Sequence, residues 1–477
     1  MFDIYPQGTM LAMLVMAGYP ILALIFDATL QRHRAVMATM LFGFLFLPSI
    51  NIDVADTIYW NRRTAPVLVC MIGVMFRDGA LLRTLKPRLF DLPIILWCIA
   101  PFFSAVSNGY GAKEGVSLVF YQTLRWGGPY FLGRLHFHTR EQLLDLAKVL
   151  FWGGLIYLPL CVFEIRFSPV LHHHLYGFNQ HSFAQTIRGS TYRPMVFLQH
   201  GLMVAMWMAM TAYLGWILHT GRFIGRFLGV PLRFMPWIMA IVMVAMQSLG
   251  ALLLAILGVG ATLVCRWSGG RFALLFLAVV PLVWGFTRTA GILPTSVIAS
   301  AAETVSSDRA RSLKFRLDAE DKVSDHAMRK PFFGWSTRGF NKLEDDDRPN
   351  RGATVDGLWL IGFSTYGMLG LLAILGVHFF PVLYILGRAP PRYWREEPYV
   401  LLAGGMAVII ALVSIDNLLN SMVNPMFVLM IAAVQTVLQH HGWESASDEE
   451  EVEAAPPEYP QPESTRFRRL LGEPPKP

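Results

Sequence analysis

The chain is laid out as long apolar runs separated by short polar breaks. The runs cover 8–28, 34–50, 64–76, 91–107, 115–133, 143–165, 194–218, 234–248, 250–265, 272–288, 357–387, 398–415 and 421–440. A hydrocarbon core of about 30 Å needs about 20 apolar residues per helix, and the runs approach that length. Strand-like alternation is absent, so helices rather than a barrel satisfy the backbone. The stretch from Phe234 to Cys265 is too long for one helix and carries Ser248 and Gly250 at its middle, which predicts two short spans or a broken pair. The pattern as a whole predicts an all-α polytopic membrane protein with about 12–13 transmembrane helices.

The polar breaks are unequal. One of them, 289–355, is much longer than the rest and dense in charge, as in "KFRLDAEDKVSDHAMRKPFFGW" from Lys314. It separates a first part of the helix bundle, 1–288, from a last part, 356–440. Residues 441–477 read as a solvated, disordered acidic and proline-rich tail. Basic residues in short connections resist translocation and so set orientation. Arg32 and Arg34, then Arg77, Arg83, Lys86 and Arg88, then Arg134 and Arg140 fall on one side by alternation. Arg222, Arg226 and Arg233, then Arg266 and Arg271, then Arg388, Arg392 and Arg395 join them. That side is read as cytoplasmic, tail included, which makes 289–355 a large extracytoplasmic loop and the chain a multi-pass protein of a bacterial inner membrane. The first run has neither a cationic stretch before it nor a small-residue cleavage site, so a retained span is expected.

Composition narrows the chemistry. Of the 477 residues, 54% are hydrophobic and only 15% are charged, which excludes an ordinary soluble domain. The net charge of +7 sits largely in the cytoplasmic connections, whose expected partner is anionic membrane lipid rather than nucleic acid. Cys70, Cys98, Cys161 and Cys265 lie in or beside apolar runs without metal-ligand spacing, so neither a disulfide frame nor a metal site is indicated. There is no P-loop, dinucleotide fingerprint or HExxH, and no cofactor is expected.

Chemistry must then come from the outer loops and span ends. "RFSPVLHHHLYGFNQHSFAQTIRGSTYRPMVFLQHG" holds Arg188, Arg193, His200 and the adjacent His172, His173 and His174. Three neighbouring histidines cannot all face one ion on a regular element, and they read as solvated loop residues. Pro194 fixes the chain after Arg193, so the guanidinium is expected at the membrane surface immediately before a helix. From Ser312 to Arg329 the loop lacks Gly and Pro, which predicts a helix ending before Lys330 and Pro331. On it Arg316 and Glu320 are i,i+4 neighbours, spaced for a surface ion pair. Asp356 opens the next apolar run, where a carboxylate complements the helix dipole. Arg125, inside the fifth run, needs a cavity or a partner, for example Glu164.

The arginine before "PFFGW", the block "DGLWLIGFSTYGMLGL", "STYRPMVFLQHG" before a span and "MQSLGALLLA" within the broken pair resemble the O-antigen ligase and O-antigen polymerase superfamily of bacterial membrane glycosyltransferases. The resemblance covers most of the chain up to about His440. It implies a lipid-dependent glycosyltransferase fold of the GT-C-like type, in which a large outer loop caps a site at the membrane surface. It implies as substrates a glycan carried on a polyprenyl diphosphate and a saccharide acceptor with a hydroxyl to receive it, with neither nucleotide sugar nor metal. Carried over residue by residue, Arg193 and Arg316 hold the diphosphate. Arg125, as an intramembrane charge, and Arg309 are further candidates for the same anion, independent of the resemblance. Ligase-type members have a His-Asn pair where Val355, Asp356, Gly357 and Leu358 stand. Asp356 is therefore read as the base in place of histidine, assisted by His200 or His326, and the departure favours a polymerase of surface or exopolysaccharide over a ligase.

The physics of that reading stands without the family. A diphosphate leaving group gains negative charge as the glycosidic bond breaks, and guanidinium meets it with a permanent charge and paired donors. A transporter or flippase of lipid-linked oligosaccharide also needs many helices and cationic grooves. Transporters show paired halves, however, whereas here one loop dominates and no repeat is visible. A non-catalytic membrane component of a polysaccharide assembly system is the third class.

Overall fold

A computed structural model describes residues 9–55, 58–83, 85–188, 191–227, 230–292, 307–342 and 355–440. The tail and parts of the large loop lie outside these residues. The principal helices are α1 (Met10–Thr29), α2 (Arg32–Phe46), α3 (Ala65–Arg77), α4 (Leu92–Ser107), α5 (Gly111–Gln122), α6 (Gly128–His136) and α7 (Arg140–Phe167). They continue with α8 (Gly201–Thr220), α9 (Met235–Ala245), α10 (Leu249–Ser268), α11 (Phe272–Thr289), α12 (Ser307–Met328), α13 (Leu358–Arg388), α14 (Pro398–Asp416) and α15 (Pro425–His440). Short two-stranded ribbons, including Asn51–Ala55 with Ile58–Asn61, decorate the connections.

Among the described residues, eight helices are long and apolar enough to cross a membrane, and α3, α9 and α15 are shorter apolar helices. The other two expected spans differ from expectation. The 34–50 run yields only the 15-residue α2, whose first turn carries Arg32, His33 and Arg34. The 115–133 run is broken by a π-helical turn, Thr123–Gly127, between α5 and α6. The Phe234–Cys265 stretch does split, at Met246–Ser248, where Gln247 takes a φ of +51°. The helix expected to follow Arg193 directly begins seven residues later than Pro194, at Gly201. The cause is buried: Glu164 accepts the amide N–H groups of Met195 (2.8 Å), Val196 (2.7 Å) and Leu171 (3.1 Å), holding 194–200 out of helix. Glu164 is therefore not the partner expected for Arg125.

Connections alternate between two rims. On one rim Arg62 donates to the Phe197 carbonyl (2.6 Å), Asn108 to the Gly334 carbonyl (2.9 Å) and Gln247 to Thr191 Oγ1 (2.9 Å). On the other, Arg34 meets Asp145 (2.8 Å), Arg32 meets Asp78 (3.3 Å) and Arg395 donates to the Arg266 carbonyl (2.6 Å). α8, α14 and α15 are buried almost throughout, as apolar sides all round require of central helices.

The large loop is seated by backbone. α13 breaks at Gly367 (φ +66°, ψ −156°), and the "PFFGW" turn lies in the break. Met368 N–H donates to the Pro331 carbonyl (2.6 Å) and Trp335 N–H to the Ser364 carbonyl (2.9 Å). Gly334 also has φ +66°, and a Cβ at Gly367 would overlap the Phe332 carbonyl carbon. Only glycine serves at such a position. Beneath, Val323 and Ala327 of α12 pack with Phe340, Trp359, Leu360 and Phe363, so the loop helix shares a core with α13.

Candidate functional site

The residues singled out by chemistry do not all fall in one place. Arg193, His200, Arg316 and Asp356 converge on the loop rim. His200 caps α8, its Nδ1 accepting the Leu202 N–H (3.0 Å), which leaves Nε2 to donate toward Gln185 Oε1 (3.4 Å). Gly201 gives room for Arg193, because a Cβ there would stand 2.6 Å from the arginine Cγ and Cδ. The Arg193 stem so lies across the start of α8, and its guanidinium donates to the Gln247 carbonyl (3.3 Å). Arg316 reaches from α12 to the carbonyl of Leu419 and to Asn420 Oδ1, both at 3.4 Å, and its Nε stands 3.5 Å from Asp356 Oδ2.

One imidazole lies in the electrostatic field of both arginines. Burial, and after it the neighbouring His181, Arg193, Arg316 and Arg188, push His200 down to about 3. His200 thus stays neutral within reach of three guanidinium charges, with its ring 4.6 Å from that of His181. Both ring nitrogens are already committed, which makes it a poor proton acceptor. The N-termini of α8, α10 and α13 lie at these residues, at Gly201, Leu249 and Leu358 beside His200, Gln247 and Asp356. Each carries a partial positive charge. Cationic side chains and helix ends together favour negative charge at this part of the rim.

Asp356 does not cap α13. Gly357 is the N-cap, without a side-chain bond, and the Leu358 N–H goes to the Asn417 carbonyl (2.8 Å). The Asp356 carboxylate instead faces Arg316 and is two-fifths exposed. Nor does Arg316 pair with Glu320. That carboxylate is buried and meets Arg288 of α11 (3.5 Å), which also holds Asp321 (2.7 Å). Burial above all, against Arg288 and with help from Asp321 and Asp356, pushes Glu320 up to about 7.

His326, Arg125 and Arg309 are not brought into this group. His326 lies ten residues, about 15 Å, along α12 from Arg316. There it stacks on Trp335 (4.3 Å between ring centres, 15° apart) and meets the Gly339 carbonyl (3.1 Å). Arg125 sits in the π turn with its guanidinium over the Tyr121 ring (5.3 Å), and its Nε has no hydrogen-bond partner among the described residues. It lies about 21 Å along the helix from Gly111 at the rim. Arg309 falls on the first turn of α12, and its side chain lies outside the described residues. Of the three adjacent histidines, His172 is not solvated: it is buried, its Nε2 accepting the Ser49 N–H (3.3 Å) and its Nδ1 donating to the Phe178 carbonyl (2.9 Å).

Sequence reasoning missed Arg288, Asp416 and Asn420, and gave Glu320 the wrong partner. Asn420 Nδ2 donates to Asp416 Oδ1 (2.9 Å), so the α14–α15 connection presents an amide and a carboxylate beside Arg316. A signal existed in "SIDNLLNSMVNP", a polar cluster between two apolar runs that is too long for a simple turn. Among the described residues no three His, Cys, Asp or Glu side chains gather as a metal site. No protein-family model matches the chain, and no curated protein is significantly similar to it.

Proposed function

We propose that this protein is a membrane glycosyltransferase of the O-antigen polymerase or ligase type, moving a glycan from a polyprenyl diphosphate to a sugar hydroxyl at the loop rim. The observation that carries the reading is that Arg193 and Arg316 both act electrostatically on His200, with Asp356 paired to Arg316 and the N-termini of α8, α10 and α13 at the same residues. In this reading the anomeric carbon–oxygen bond to the diphosphate breaks while the acceptor oxygen bonds to that carbon. The hydroxyl proton passes to Asp356, and the charge left on the diphosphate is met by the two guanidiniums and the helix ends. His200 is a positioning residue, since its capping bond sets the start of α8 on which Arg193 lies. The loop rim is then extracytoplasmic and the other rim, whose short connections carry Arg34, Arg77, Arg134 and Arg395, cytoplasmic. The altered base position favours polymerase over ligase.

Labelled lipid-linked oligosaccharide in proteoliposomes tests this. Covalent lengthening of the glycan is expected, with loss of about 10²-fold or more in the Asp356→Asn variant. Movement of label across the bilayer without transfer would make the protein a transporter, and neither outcome would leave a non-catalytic assembly component.

A further inference from the structure

Away from the arginine cluster, α4 and α5 form an antiparallel pair on the lipid-facing side. They touch closely because Gly115 sits against Phe102, where a Cβ would come 2.9 Å from the ring. Beside the contact, Ile99, Phe102, Phe103, Val116 and Val119 line a crevice of about 320 Å³ whose walls are wholly apolar. Its rim end is cationic. Lys113 lies one turn before Val116 on the same face of α5, and Lys330 donates to Asn108 (2.6 Å), the residue just beyond α4. The nearby carboxylate, Glu114, is paired with Arg338 at 2.8 Å. Phe333 of the docked turn stacks on Phe103 (5.8 Å, 23°), extending the wall from the membrane helices to the loop.

We infer that this crevice is a binding site for one acyl chain of an anionic glycerophospholipid, whose headgroup phosphate sits between Lys113 and Lys330. Apolar walls take the chain, and two ammonium groups with one neutralised carboxylate select a negative headgroup over a zwitterionic one. A polyprenyl diphosphate gripped at Arg316 is a different ligand, because Arg316 lies about 18 Å along α12 from Met328, the end of the helix that leads into Lys330. Occupancy steadies the Phe333 turn, and through it the helix that carries Arg316.

The test is native mass spectrometry of the full-length protein in detergent, with phosphatidylglycerol, phosphatidylcholine or polyprenyl phosphate added. Each lysine near a bilayer surface is worth a factor of about five, so phosphatidylglycerol is expected to be retained roughly twenty-five-fold over phosphatidylcholine. Lys113→Gln and Lys330→Gln should each cut that preference to about fivefold, and Val116→Trp should displace both phospholipids by filling the crevice. Equal retention of the two phospholipids, an unchanged preference in both lysine variants, or displacement by equimolar polyprenyl phosphate would each overturn the inference. Lys113 is exposed, so its variant keeps the test valid if Lys330→Gln fails to fold.

Discussion

Replacing Arg316 by Ala separates a catalytic role from a structural one, because the structure assigns very different sizes to the two. Its ion pair with Asp356 spans 3.5 Å with the side chains 33% and 40% exposed, a class worth about 0–1 kcal/mol. Its two hydrogen bonds, at 3.4 Å, are near the limit of useful length and add little. Thermal stability should therefore fall by about 1 kcal/mol at most. Removing one fixed donor from a developing oxyanion lowers a rate by roughly 10²–10³-fold. Arg316→Lys keeps charge but not the paired donors, and a loss of about tenfold is expected. The measurement is initial glycan transfer in proteoliposomes beside melting of the same preparations. If Arg316→Ala transfers within about threefold of the parent, the anion site is misplaced. Should it instead lose several kcal/mol of stability, Arg316 is a structural strut and the rate says nothing about chemistry.

Three further outcomes follow from the same coordinates. Gly367→Val places a branched side chain where φ is +66° and the Phe332 backbone already sits, so destabilisation of about 3 kcal/mol or more is expected, with faster proteolysis of the large loop; normal melting would contradict the docking. His326→Phe keeps the stack on Trp335 and loses one hydrogen bond, about 1 kcal/mol, so transfer should stay within about threefold, and abolished transfer would return His326 to the reacting atoms. Glu320, raised from 4.5 to about 7, favours the protonated form in the folded state. Its contribution is full below pH 4.5 and is lost as pH rises through 7, up to about 3 kcal/mol, so Glu320→Gln should melt with a flatter pH profile above 4.5, Asp321 still holding Arg288. Parallel pH profiles would show that Glu320 is not buried against Arg288.

The membrane helices were legible because run length answers directly to bilayer thickness. Breaks within the runs were harder to read. "MQSLG" announced its turn with polar residues, whereas the Gly367 break hides in "STYGMLG", where apolar neighbours mask a backbone that leaves helix. Local spacing also misassigned partners. Arg316 and Glu320 satisfy the i,i+4 rule, yet Arg288, 28 residues before Arg316 and at the end of another helix, takes the glutamate into the core. Likewise Pro194 suggested a helix start, and only the contact with Glu164, from a distant span, reveals why the helix waits until Gly201. Long-range polar contacts of this kind leave no period in one sequence.

Because the turn after α12 is fastened to the broken helix through peptide groups, the register of α12 is indexed by residue count as well as by the side chains it packs with. Deleting a single residue between Arg316 and Pro331 would turn the guanidinium by about 100° about the helix axis while every main-chain bond at the fastening survived. Substitutions along the exposed face of that helix can accumulate without disturbing alignment, whereas any change in its length cannot.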